Sequence, residues 1–120
     1  MSSIAIYEAD DLMRALLEEW LRRAGYEVHG AASLESGVRD EADLVIVSLY
    51  MPKLAGARLV GEIRTAYPRT PLVAISAQCR ADLSTAGELA QTLGVQQVLA
   101  KPLTGEALLS TVRAIIGPPN

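Results

Sequence analysis

The stretch DLVIVSLYMPKLAG, residues 43–56, decides the reading of the fold. Leu44 to Val47 is an unbroken apolar run with no polar alternation. A strand that is apolar on both faces belongs in the middle of a parallel sheet covered by helices on either side. The run ends on Ser48 and is followed by Tyr50, the pair Met51-Pro52 and Gly56, a turn-forming succession. A buried strand that carries one small hydroxyl to its own end places that hydroxyl where a site would be.

Working outward, short apolar runs alternate with amphipathic stretches. Ile4 to Tyr7 reads as a first strand, and Asp11 to Ala24 as a helix on Leu12, Met13, Leu16, Leu17, Trp20 and Leu21. Gly25 follows as its C-terminal cap. Glu18–Arg22 and Glu19–Arg23 are i,i+4 pairs on its wet side. Glu27 to Ala31 is a weak second strand, with His29 as a partly exposed edge residue. Ser33 to Asp40 is a short helix with Ser33 as N-cap. Ala57 to Tyr67 is a helix stopped by Pro68, and Pro71 to Ser76 is a fourth strand. Ala81 to Leu93 is an alanine-rich helix capped by Gly94, Gln97 to Ala100 a fifth strand, and Thr104 to Ile116 a last helix with Thr104 as N-cap.

Five strand–helix units in 120 residues imply one α/β domain with an open, doubly wound parallel sheet. Right-handed crossovers leave few layouts, and the flavodoxin-like order 2-1-3-4-5 is the commonest at this size. The domain is expected over residues 1–117, with residues 118–120 as a short tail where a linker would begin. In that strand order a ligand site lies outside the carboxyl ends of strands one and three.

Composition narrows the function. A net charge of −3 offers no basic face to nucleic acid. No apolar run is long enough to span a bilayer, and the opening Met-Ser-Ser-Ile-Ala has no signal-peptide pattern. Cys79 is the sole cysteine, which rules out an internal disulfide and fits a reducing cytoplasm. At the carboxyl ends of the strands stand Glu8-Ala9-Asp10-Asp11, Ser48, Ser76 and Lys101-Pro102. Three acids after strand one would repel a phosphate, and no GxGxxG or P-loop motif is present. Acids at a strand end suit a hard cation instead, since Mg²⁺ takes one or two carboxylates plus a phosphoryl oxygen.

The pieces IAIYEADDLMRALLEEWL, DLVIVSLYMPKLAG, PLVAISA and GVQQVLAKPL together resemble the receiver domain of two-component response regulators, from about Ile4 to Ile116. The resemblance implies a third strand ending in an aspartate phosphorylated by a histidine kinase, and an acid pair after strand one that holds Mg²⁺. It also implies a Ser or Thr ending strand four and a lysine ending strand five. By position, Ser48 stands at the phosphoacceptor, Glu8 and Ala9 at the acid pair, Ser76 at the hydroxyl residue and Lys101 at the lysine. Val98 stands where many members carry a Tyr or Phe that reorients on activation.

The departures set the expectation. A serine hydroxyl without a general base is a poor nucleophile, and Ala9 removes an oxygen ligand. The sequence therefore reads as a degenerate receiver in phosphorelay signalling. It acts by protein–protein contact, is not an enzyme and holds no cofactor. Mg²⁺, if held at all, falls to Glu8 and Asp10. Expected partners are a histidine kinase, an effector or another regulator, or a second copy in a homodimer, with no direct nucleic acid and no membrane. The resemblance puts the interaction surface on Ala81, Ala86, Ala90 and Val98. Two other readings stay open: a receiver still phosphorylated with Mg²⁺ at an acid such as Asp10, and a small-molecule-binding flavodoxin-like module. For Asp10 the competing reading is an N-cap, and for Asp11 a first-turn acid favoured by the helix dipole.

Overall fold

The computed structural model of the chain describes residues 2–32, 42–49, 54–76, 94–100 and 103–119. Strands β1 (Ser3–Tyr7), β2 (Glu27–Ala31), β3 (Leu44–Leu49), β4 (Leu72–Ser76) and β5 (Gln97–Ala100) form one sheet, and the described helices are α1 (Asp11–Arg23), α2 (Leu54–Ala66) and α3 (Gly105–Ile116). The strand order is β2-β1-β3-β4-β5 with every pairing parallel, as the alternating pattern predicts. The expected helices at 33–40 and 81–93 lie outside the described residues, as do Tyr50, the Met51-Pro52 turn, Cys79 and Lys101-Pro102.

The central strands explain the order. All six residues of β3 and all five of β4 are buried. Strands buried on both faces need a helix layer on each side, and alternation splits their side chains between two cores. On one face Ile4, Ile6, Ile46, Val73 and Ile75 pack with Leu17 and Leu21 of α1 and Leu108 and Val112 of α3. On the other, Tyr7, Val45, Val47, Leu49 and Ala74 pack with Val60 and Ile63 of α2 and with Tyr67 just beyond it. Each fully buried Leu or Ile contributes roughly 1.5–3 kcal/mol. The α1 surface pairs Arg22–Glu18, with Glu18 half-buried, and Arg23–Glu19, at 3.6 and 2.9 Å, are worth about 0.3–0.5 kcal/mol each. Burial, not surface charge, therefore fixes the helices on the sheet.

Two boundaries differ from the sequence reading. β3 continues through Ser48 to Leu49, which is 1% exposed, because the second core needs Leu49 beneath it. α2 begins at Leu54, not Ala57, so Gly56 lies in its first turn. The helical propensity cost of that glycine, about 1 kcal/mol, is outweighed by the burial of Val60 and Ile63 further along.

Local details set the ends of the elements. Gly25 takes φ +106° beyond α1, so the chain can reverse into β2. Tyr26 is buried there, and its hydroxyl donates to the Gly117 carbonyl at 2.8 Å. On the other face the hydroxyls of Tyr7 and Tyr67 share a hydrogen bond of 2.7 Å inside the core, with ring centroids 6.2 Å apart. Burial, and then the neighbouring Tyr67 hydroxyl, pushes Tyr7 well above the ordinary tyrosine range. Burial also raises Tyr26, with Arg113 partly offsetting it.

A raised tyrosine pKa means that the fold favours the neutral form. That contribution is fully present below the unfolded value of about 10 and is lost as pH rises through the folded values. We expect the tyrosinate absorbance of Tyr7 and Tyr26 to lag behind that of free tyrosine, and the urea midpoint to fall as pH rises above about 10. Coincidence of both tyrosines with free tyrosine would contradict the burial assigned to them.

Candidate functional site

The site is built by the carboxyl ends of β1, β3 and β4, where the strand order reverses direction about β1 and β3. The register pairs Tyr7 with Val47, so Glu8 and Ser48 stand level, one residue further along. Glu8 extends the ladder, since its N–H donates to Ala31 O at 3.0 Å. The Glu8 side chain is buried at 1% exposure, a position in which a carboxylate needs polar contacts. Glu8 Oε2 accepts from Asp10 N at 3.2 Å, and the Glu8 carbonyl accepts from Arg14 Nη1 at 2.8 Å. Arg14 Nη2 also pairs with Asp11. One guanidinium thus ties the loop after β1 to the first turn of α1.

Asp10 lies in extended backbone, and its Oδ1 accepts from Met13 N at 3.0 Å. It is therefore the N-cap of α1, which satisfies one of the helix's unpaired N–H groups. Ala9 is exposed. Ser48 pairs with Ile75 and is 6% exposed, on the face that carries Ile46. Its Oγ has no hydrogen-bond partner among the described residues. Ser76 pairs with Leu49 and is fully buried, so alternation puts it on the opposite face, with Ala74. The sequence reading gathered these groups at one edge. The structure distributes them over both faces of that edge.

Val98 corrects part of the expected interaction surface. It pairs with Ala74 and is 3% exposed within the second core, so it supports a surface from below and does not form one. Ala81, Ala86, Ala90 and Lys101 lie outside the described residues. Arg14 was missed as a member of the site. Its i,i+3 spacing from Asp11 was legible, but its reach back to the Glu8 carbonyl was not. Among the described residues no three His, Cys, Asp or Glu side chains gather as metal ligands, and no helix is long and apolar enough to cross a membrane.

Comparison with known proteins agrees with this architecture. Residues 4–113 match the family model described as the response regulator receiver domain. The transcriptional regulatory protein PrrA of Mycobacterium bovis is 29% identical over 117 residues, which cover 94% of this chain and 49% of PrrA. The regulator of RpoS of Escherichia coli K12 is 33% identical over 105 residues, 83% of this chain and 30% of that protein. The chain thus spans about half, or less, of the length of these curated relatives. A crystal structure of a response regulator receiver domain protein from Clostridium thermocellum superposes with a TM-score of 0.76 at 26% identity, covering 97% of this chain and 94% of that one. A response regulator from Thermotoga maritima gives 0.78 at 22% identity, with coverage of 97% and 98%, and shows the fold alone.

Two substitutions separate the roles assigned at this edge. Asp10→Ala removes the cap and is expected to lower the unfolding free energy by about 1 kcal/mol, with Asp10→Asn recovering most of it. Ser48→Ala deletes a buried hydroxyl that has no partner among the described residues. It is expected to leave the urea midpoint unchanged or raise it, because such a group carries a desolvation cost of about 1–3 kcal/mol.

Proposed function

The chain belongs to the response regulator receiver domain family of two-component signalling, and we propose that it signals by protein contact without accepting a phosphoryl group. The observation that carries this reading is Ser48, near the end of β3 and level with Glu8 at the switch point, at the position that resemblance gives to the phosphoacceptor aspartate. A phosphoacceptor must be ionised and nucleophilic near neutral pH. An aspartate carboxylate is, whereas a serine hydroxyl needs a general base. His29, the chain's sole histidine, lies on the edge strand β2 with its Nε2 on Glu27 Oε1 at 2.9 Å.

The donors at this edge do not suit Mg²⁺. The ion wants a carboxylate-rich oxygen set. Here Ala9 contributes nothing, Ser48 supplies a neutral hydroxyl, and the Asp10 carboxylate faces the helix N-terminus. The same cap argues against phosphorylation at Asp10. An acylphosphate there would give up the Met13 bond and the favourable interaction of the anion with the helix dipole. With the central charge absent, the pocket has no repulsion for a cation or phosphoryl group to relieve. The domain then holds one arrangement constitutively, and its readers are signalling proteins such as a kinase, an effector or a second regulator.

Incubation with acetyl phosphate and Mg²⁺, read by intact mass, is expected to leave the protein unmodified. The variant Ser48→Asp with Ala9→Asp is expected to gain binding of Mg²⁺ and beryllofluoride. A stoichiometric phosphoryl adduct on the unsubstituted chain would overturn the proposal, and its loss in Asp10→Asn would place the chemistry at Asp10.

A further inference from the structure

The opposite edge of the sheet carries a concave site that the receiver reading does not use. At the amino ends of β4 and β5 an open pocket of about 660 Å³ lies between the end of α2, the turn 68–71, the lead into β5 and the last turn of α3. That volume is within the roughly 300–1,000 Å³ usual for small-molecule sites. Two arginines, Arg64 and Arg69, line it together with Gln96. Neither arginine has an ion pair among the described residues, although the chain as a whole is acidic at −3. Leu72, Val95 and Ile115 are apolar members of its lining.

Arg64 is exposed, and its guanidinium lies against Gly94. Its Nη1 and Nη2 lie 3.0 Å from where a Cβ on residue 94 would be, and Gly94 has φ +73°. Gly94 thus leaves room for the guanidinium to lie across the chain, in a backbone conformation that side chains rarely adopt. The turn that carries Arg69 is fixed, because Thr70 N donates to Tyr67 O at 3.3 Å and Thr70 Oγ1 to Ala42 O at 3.2 Å. A guanidinium presents a planar fork of donors matched to carboxylate and phosphate oxygens. Two such forks beside Leu72, Val95 and Ile115 suit an anion with a compact apolar body better than a bare ion.

We propose that this pocket binds a small organic anion, a phosphate or carboxylate on an apolar group, held by Arg64 and Arg69. The test is a ¹⁵N NMR titration of the full chain with phenyl phosphate, benzoate and inorganic phosphate. Saturable shifts are expected at Gly94, Val95, Gln96 and Thr70, with phenyl phosphate or benzoate binding more tightly than inorganic phosphate. The two organic probes separate a phosphate from a carboxylate preference. The variant Arg64→Gln with Arg69→Gln is expected to keep its urea midpoint and weaken binding about tenfold or more. The proposal is overturned if the shifts are absent, if they map to Glu8 and Ser48 at the other edge, or if they persist in the double variant. Equal affinity for inorganic and phenyl phosphate would remove the role of Leu72, Val95 and Ile115 and overturn the ligand class.

Discussion

Burial of β3 and β4 on both faces is the constraint from which the rest of the structure follows. A strand with no wet face cannot carry a polar side chain in its interior unless that group is satisfied. Polar groups are therefore displaced to the two ends of the sheet. At the carboxyl ends stand Glu8, Ser48 and Ser76, and at the amino ends the Arg64 and Arg69 pocket. Between them the two cores are almost wholly aliphatic, with Tyr7, Tyr26 and Tyr67 as the buried aromatics among the described residues. The domain is thus an apolar slab with chemistry confined to its rims.

Much of this was legible in the sequence because the signals were local. The run Leu44 to Val47 announced a central strand, and helical spacing announced α1 and α3. Asp10 and Thr104 were readable as caps, and their side chains accept from Met13 N and Ala107 N. Ser48 was mistaken for the end of its strand because a serine followed by turn-formers looks like punctuation. Leu49 beyond it is drawn in by the second core, which periodicity within one strand does not reveal. Gly56 likewise looked like a turn residue, and α2 runs through it.

What could not be read depends on contacts across long separations. The Tyr7–Tyr67 bond joins residues 60 apart in sequence, and Tyr26 reaches Gly117 across 91. No spacing rule predicts either. The arginine pocket is assembled from three separate stretches, 64–72, 94–96 and 114–115, and its shape depends on Gly94 being bare. Resemblance supplied the meaning of position 48, because composition alone marks only a hydroxyl at a strand end. Fold and chemistry are separable here: the described strands and helices follow the family's scaffold, and what the domain does with it is decided by the residues at the strand ends.

The Tyr7–Tyr67 hydrogen bond has a thermodynamic consequence of its own. Tyr7 immediately precedes Glu8 at one rim, and Tyr67 immediately precedes the turn that carries Arg69 at the other. A single buried bond therefore belongs to the packing of both rims. Two ligands that each favoured one arrangement of this bond, one beside Glu8 and one on the turn, would change each other's affinity by the same factor. Such linkage is reciprocal by necessity. The two rims would then sense one another through that bond.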